Sequence, residues 1–195
     1  MGNPNLAPGE RFTYRHYRTW PDEERWELIE GQAWSMSPAP MRGHQKLSAR
    51  LFNQVYDYLK GKLCEVYAAP FDILLPEGEE SDDEVDTVVQ PDIVVICDKS
   101  KLTKRGARGA PDWVIEILSP RTAKKDFETK FHLYERHGVR EYWIVDPGAA
   151  AIHAWRLGAT GRFGEETLYE EEDRAASTAL AGFAIDMKEF FAGLE

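Results

Sequence analysis

The sequence predicts an α/β (α+β) domain: a mixed β-sheet flanked by helices, with an N-terminal β-hairpin. Three observations carry this. Two stretches space their apolar residues with helical periodicity, and the other apolar stretches are strand-length runs. The runs come in the order hairpin, helix, three strands, helix, two strands, which suits helices packed on one sheet. The chain has 195 residues, 43% hydrophobic and 30% charged, enough to bury a sizeable core.

Residues 1–20 read as a polar lead-in and residues 21–195 as one domain. "RWELIEGQAWSMSP" alternates at Trp26, Leu28 and Glu30, turns at Gly31 and runs on through Ala33 to Met36. This is a hairpin ended by Pro38 and Pro40. In residues 42–61, Leu47, Leu51, Val55 and Leu59 fall on one helical face, with Phe52 and Tyr56 beside it and Gly61 as the stop. "VYAAPFDILLP" (66–76) and "VVQPDIVVIC" (88–97) read as strands; Pro91 donates no ladder hydrogen bond, so it marks a start, an edge or a bulge. "PDWVIEILSP" (111–120) reads as an interior strand. A helix over about 122–137 follows, ended by Gly138. "EYWIVDP" and "AIHAWRL" are further strands, and "FAIDMKEFFAGL" closes the chain as a small helix.

Several classes are set aside. No apolar run approaches the ~20 residues of a membrane span. The start, "MGNPNLAPGERF", lacks the basic and apolar regions of a signal peptide. Cys64 and Cys97 fall on unlike elements with no CxxC pattern. That predicts reduced thiols in a cytoplasmic setting and no disulfide or zinc site. The net charge of −10 weighs against a nucleic-acid partner. However, "EGEESDDEVD" (77–86) and "EETLYEEED" (165–173) hold thirteen acids, and the rest of the chain carries +3. The basic residues Lys99, Lys101, Lys104, Arg105, Arg108, Arg121, Lys124 and Lys125 lie on either side of the 111–120 strand.

That strand holds an anomaly. Glu116 sits among Trp113, Val114, Ile115, Ile117 and Leu118, and an ionised carboxylate there is costly unless something positive meets it. Alternation puts Val114, Glu116 and Leu118 on one face, and in the preceding strand it puts Asp92 with Val94 and Ile96. If the strands pair, Asp92 and Glu116 come together and repel unless a cation sits between them. Magnesium takes one or two protein carboxylates and fills its other positions with water and phosphate oxygens. On the next helix Lys130 lies about 40° from Asp126 and Tyr134 and about 60° from Phe127 and Leu133, at the border of the packed face. A lysine there needs a partner.

Together, "VVQPDIVVICD", "PDWVIEILSP", the spaced Asp126, Lys130 and Tyr134, "GVREYWIVDP" and the earlier "ELIEGQAWSMSPAPMRGHQ" resemble the Uma2 family (DUF820) of restriction-endonuclease-like proteins. The resemblance covers about residues 20–190. It implies a restriction-endonuclease-like core of the PD-(D/E)xK superfamily and cleavage of DNA phosphodiester bonds dependent on Mg²⁺ (or Mn²⁺). Pro91-Asp92 match the PD and Glu116 the acidic position. Leu118 stands where the motif has lysine, and Lys130 on the following helix takes that part. Asp92 and Glu116 are then the metal ligands; Lys130, Glu30 and His44 complete the catalytic set. Lys99, Lys101, Lys104, Arg105, Arg108, Lys124 and Lys125 are the candidate contacts to the nucleic-acid backbone. Cutting both strands would call for a homodimer. Two other readings stay open: a catalytically inactive nucleic-acid-binding or assembly module, and hydrolysis of another phosphate ester.

Overall fold

The computed structural model describes residues 11–21, 25–36 and 41–194. It opens on a short helix, α1 (Tyr14–Tyr17), and the hairpin of β1 (Trp26–Ile29) and β2 (Gln32–Ser35). Residues 11–20, read as lead-in, pack: Phe12 and Tyr14 are buried against Leu28, Leu74 and Val85. Pro38 and Pro40, expected to end the hairpin, lie outside the described residues. Next is α2 (Arg42–Leu59), which buries Leu47, Leu51, Val55 and Leu59 along one face, as its periodicity predicts.

Each of the next two expected strands is broken at a proline. Residues 66–76 divide into β3 (Glu65–Ala68) and β4 (Asp72–Leu74) around Pro70, and residues 88–97 into β5 (Val88–Val89) and β6 (Ile93–Ile96) around Pro91. In both cases the two halves enter different sheets. The basic loop contains β7 (Gly106–Arg108), and β8 (Trp113–Ile117) follows. Gly106 pairs with Asp72, and a Cβ there would lie 1.9 Å from the Asp72 carbonyl oxygen, so only glycine lets β7 lie this close to β4.

The helix after β8 begins with a π-helical turn, Lys125–Lys130, and continues as α3 (Phe131–His137); Gly138 ends it at φ 83°. Then come β9 (Glu141–Asp146), β10 (Ala151–Arg156), β11 (Thr167–Tyr169), β12 (Arg174–Ala176), β13 (Ala184–Asp186) and α4 (Met187–Phe191). The last expected helix is therefore half strand, and β11 runs through the acid-rich stretch 165–173.

The main sheet has the order β11-β10-β9-β8-β6-β3, with only β8 and β9 parallel. A parallel pair needs a crossover, which the π-turn and α3 supply. One face of this sheet (Ile93, Val95, Trp113, Ile115, Trp143) packs on α2. The other (Val94, Ile96, Val114, Tyr142, Ile144) packs on Leu133 and Tyr134 of α3 and on the second sheet, β2-β1-β5-β4-β7. The mixed sheet flanked by helices is thus as the sequence predicts. No helix among the described residues is long and apolar enough to cross a membrane.

The cysteines require a correction. Cys64 and Cys97 form a disulfide, with Cα atoms 3.9 Å apart. Each stands just beyond the pair Glu65↔Ile96 of the β3–β6 ladder, so the antiparallel register sets them opposite one another. The two elements are neighbours in the sheet, which their separation of 33 residues conceals.

Candidate active site

A cavity of about 730 Å³ opens where β8 and β9 end and α2 begins. Asp92, Glu116, Asp126, Lys125, Lys130 and His44 all border it. Crevices outside the carboxyl ends of parallel strands are common ligand sites.

Glu116 is met by Lys130. The Lys130 ammonium lies 2.7 Å from Glu116 Oε1, and the Tyr134 hydroxyl donates to the same oxygen at 2.9 Å. Lys130 is shared: it lies 2.7 Å from Oε1 of Glu27, a fully buried residue of β1. Glu27 also accepts from the Gln90 N–H at 3.0 Å and pairs through Oε2 with Lys125 at 2.6 Å. The π-turn explains how one helix aims both lysines at Glu27. Residues five apart stand on different sides of an α-helix but almost above one another in an i→i+5 turn.

Asp92 ends the other arm. Its Oδ2 accepts from the Ile117 N–H at 2.8 Å and lies 3.2 Å from His44 Nε2. The β6–β8 register pairs Ile93 with Ile115, which carries Asp92 alongside Glu116 as the strand alternation predicts. His44 Nδ1 is buried and has no partner among the described residues.

Four carboxylates (Glu27, Asp92, Glu116, Asp126) therefore lie together with Lys125, Lys130 and His44, and Arg25, Arg42 and Asp146 also border the cavity. Burial pushes Glu116 up to about 8; Lys130 opposes this, but Asp126, Asp92 and Glu27 add to it. Burial also raises Asp126, to about 6, against the pull of Lys130. Glu27 goes the other way: burial would raise it, but Lys130 and Lys125 hold it down at about 2. Burial would lower His44, yet its hydrogen bond to Asp92 and the charge of Asp92 raise it. Lys130 is held well above its ordinary value: burial opposes its charge, and Glu116, Glu27 and Asp126 outweigh it.

The hydrogen bonds of the described residues use Oδ2 of Asp92 and Oε1 of Glu116, which leaves Oδ1 and Oε2 as donors to a cation. No three His, Cys, Asp or Glu side chains among the described residues group as a metal cage. A two-carboxylate, open donor set is the kind magnesium takes.

The other sequence candidates divide. Glu30 is not brought to the cavity; it sits on the hairpin turn at φ 50° and pairs with Arg136 at 2.7 Å. Of the basic set, Lys125 alone borders the cavity, turned inward to Glu27. Lys99 pairs with Glu65 at 2.7 Å, Lys101 donates to the Ala110 carbonyl at 2.7 Å, and Arg108 donates to the Glu80 carbonyl at 2.6 Å. Lys104 is exposed, Lys124 is exposed beside Glu128, and Arg105 borders a second, smaller cavity. Glu27, Asp126 and Tyr134 join the site without having been singled out as functional. Glu27 falls between Trp26 and Leu28, the residues whose alternation marked the hairpin strand.

The fold and site define a restriction-endonuclease-like α+β protein. The chain belongs to the Uma2 family, whose model carries the description "Putative restriction endonuclease" and matches residues 14–188. It is 24% identical over 185 residues to the uncharacterized protein slr1290 of Synechocystis sp., covering 93% of each chain. The crystal structure of a protein from Anabaena variabilis, described as a putative nuclease belonging to DUF820, shares the fold. The TM-score is 0.75 at 20% identity, over 94% of this chain and 99% of that one.

Proposed function

We propose that this chain is a metal-dependent endonuclease that hydrolyses phosphodiester bonds in DNA, with Mg²⁺ or Mn²⁺ as its cofactor. The observation that carries the reading is one cavity bordered by Asp92 and Glu116 from adjacent strands, with the Lys130 ammonium against Glu116. The two carboxylate oxygens left without a hydrogen bond among the described residues, Asp92 Oδ1 and Glu116 Oε2, support a divalent ion held by them. Bound there, the ion would supply a polarised phosphate and a water of lowered pKa.

The remaining work falls to the chain itself. The Ile117 N–H and His44 fix the Asp92 carboxylate, and Tyr134 and Lys130 fix Glu116. The ammonium of Lys130 at the cavity wall stabilises negative charge developing on the phosphoryl oxygens. His44, with its raised proton affinity, passes a proton toward the departing oxygen or contacts a phosphate. Glu27 anchors both lysines and so acts as a positioning residue. Lys104, Arg105 and Lys124 keep their head groups at the surface for outlying phosphates, a salt-dependent contribution.

Nicking of supercoiled plasmid DNA tests the reading. The wild type should nick only with Mg²⁺ or Mn²⁺, and Asp92→Ala and Glu116→Ala should lose at least about 100-fold while retaining a cooperative melt. Nicking at the wild-type rate by both variants would remove the site assignment. Metal-independent retention of DNA without nicking would replace the reading by a non-catalytic binding module.

A further inference from the structure

We infer that the second cavity is a base-reading subsite that seats an unpaired, amino-bearing nucleobase (cytosine, adenine or guanine, but not thymine) of the DNA strand whose phosphate enters the first. This rests on the nuclease reading for its substrate and on a different set of residues for its geometry.

The cavity measures about 370 Å³, roomy enough for one base with its sugar, and is walled by Tyr17, Trp20 and Trp26 together with Arg18, Arg25 and Arg105. Aromatic walls with guanidinium groups are the pairing that single-stranded nucleic acid uses, rings for the base face and cations for the backbone. Two of the rings, Tyr17 and Trp20, come from the segment 11–21, which the lead-in reading left without a role.

One carboxylate lines the same cavity. Asp72 Oδ1 accepts from the Tyr17 hydroxyl at 2.9 Å and from Gln90 Nε2 at 2.8 Å. Both donors use Oδ1, so Oδ2 makes no hydrogen bond among the described residues. An acceptor held rigid on one oxygen suits an exocyclic amine and rejects the O4 carbonyl of thymine. A carboxylate also opposes phosphate, so it fits the base edge and not the backbone, which the three arginines serve.

Gln90 and Arg25 tie this pocket to the first, since both border both cavities. Gln90 donates its side chain to Asp72 and its N–H to Glu27, and accepts from Arg25 Nη2 at 3.0 Å. A base in the second cavity and a phosphate in the first therefore contact the two ends of one residue, which places them on neighbouring nucleotides.

The test is fluorescence anisotropy in EDTA, where cleavage cannot intervene. The probes are a labelled oligothymidine nonamer and the same nonamer with one central cytidine. The wild type should prefer the cytidine oligomer roughly tenfold. Asp72→Asn is near-isosteric: its carbonyl oxygen keeps Tyr17 and Gln90, which turns the amide nitrogen toward the base. The variant should lose the preference or invert it toward thymidine. Trp20→Ala should weaken both oligomers by roughly tenfold, the loss of one stacking partner. Equal affinity for the two oligomers in wild type and Asp72→Asn overturns the subsite, as does tighter binding of free dCMP than of the cytidine oligomer. A wild type that nicks plasmid but shows no base preference overturns this inference alone; base preference without nicking keeps the pocket and removes the nuclease reading.

Discussion

Replacing Lys130 with methionine tests the charge arrangement of the site most directly. In the native protein one ammonium, with 3% of the side chain exposed, lies 2.7 Å from both Glu27 and Glu116. Removing one partner of a buried ion pair costs about 3–5 kcal/mol, because a charge is left without compensation. The two carboxylates suffer unequally. Glu27 keeps Lys125 at 2.6 Å and the Gln90 N–H at 3.0 Å, whereas Glu116 keeps only the Tyr134 hydroxyl at 2.9 Å. Glu116 can escape by holding its proton, since burial and its carboxylate neighbours already bring it to about 8. The loss should therefore fall at the lower end, about 3 kcal/mol near pH 8, and less in mild acid. At about 2–4 °C per kcal/mol for a chain of this size, that is a drop in Tm of about 6–12 °C. The sign of the pH dependence follows from the raised value. A carboxyl whose native pKa exceeds its unfolded one binds more protons when folded. Stability then falls as pH rises from about 4.5 through the native value, by at most ~1.4 kcal/mol per pH unit. The gap between variant and wild type should widen from about pH 6 to about pH 9, and Glu116→Gln should restore about half of the loss in the Lys130→Met background. Calorimetric melts of the four proteins across that range give the measurement. An unchanged Tm at pH 8, or no restoration by Glu116→Gln, would refute the reasoning.

Two further outcomes follow from other parts of the molecule. The Cys64–Cys97 bridge closes a loop of 33 residues, for which chain entropy gives about 4 kcal/mol. Dithiothreitol should thus lower the Tm by several degrees in wild type and leave a Cys64→Ser/Cys97→Ser double variant unmoved; two titratable thiols in the native, unreduced protein would contradict the bridge. His44 should titrate above the ordinary histidine value, and because its native pKa is raised, the stability it lends is present below about pH 6.5 and lost as pH rises through the native value. In Asp92→Asn the two largest contributions opposing burial are lost, leaving only the weaker ones from the Ile117 backbone and Asp126, and the His44 resonance should titrate lower than in the wild type in an NMR pH series; an unaltered midpoint would separate His44 from Asp92.

The parts of the fold that were legible are those where one periodicity governs one element. Leu47, Leu51, Val55 and Leu59 marked α2, and the alternation around Glu116 marked both its strand and the face it shares with Asp92. What was not legible depended on where the chain goes next. Pro91 read as a start, an edge or a bulge and Pro70 passed as part of one strand, but each is the point at which the chain leaves one sheet for another. Glu27 was hidden for a related reason: β1 is buried on both sides, so alternation does not sort it into an inner and an outer face. The π-turn left no periodic signature at all, since an i→i+5 step differs from α-helix by one residue in one turn.

Burial of a carboxylate is therefore not by itself a mark of function, and two glutamates of this chain show what separates the cases. Glu141 is fully buried, like Glu27, but five neutral donors surround it: Trp143 Nε1 on one oxygen, and the Ser177 hydroxyl, the Thr178 N–H and hydroxyl and the Ala179 N–H on the other. Both oxygens are engaged, no ion pair to Glu141 forms among the described residues, and the residue pins the 177–179 loop to β9. Glu116 receives two donors, both on Oε1, and one of these is a cation already shared with another carboxylate. A saturated carboxylate has nothing left to offer a ligand; a half-satisfied one beside a cavity has an oxygen in reserve. By that criterion Asp92 sorts with Glu116 and not with Glu141, since Ile117 and His44 also converge on a single oxygen. The site is a place where the fold leaves carboxylate oxygens deliberately short of donors, and Lys130 keeps that shortage tolerable in the unliganded protein.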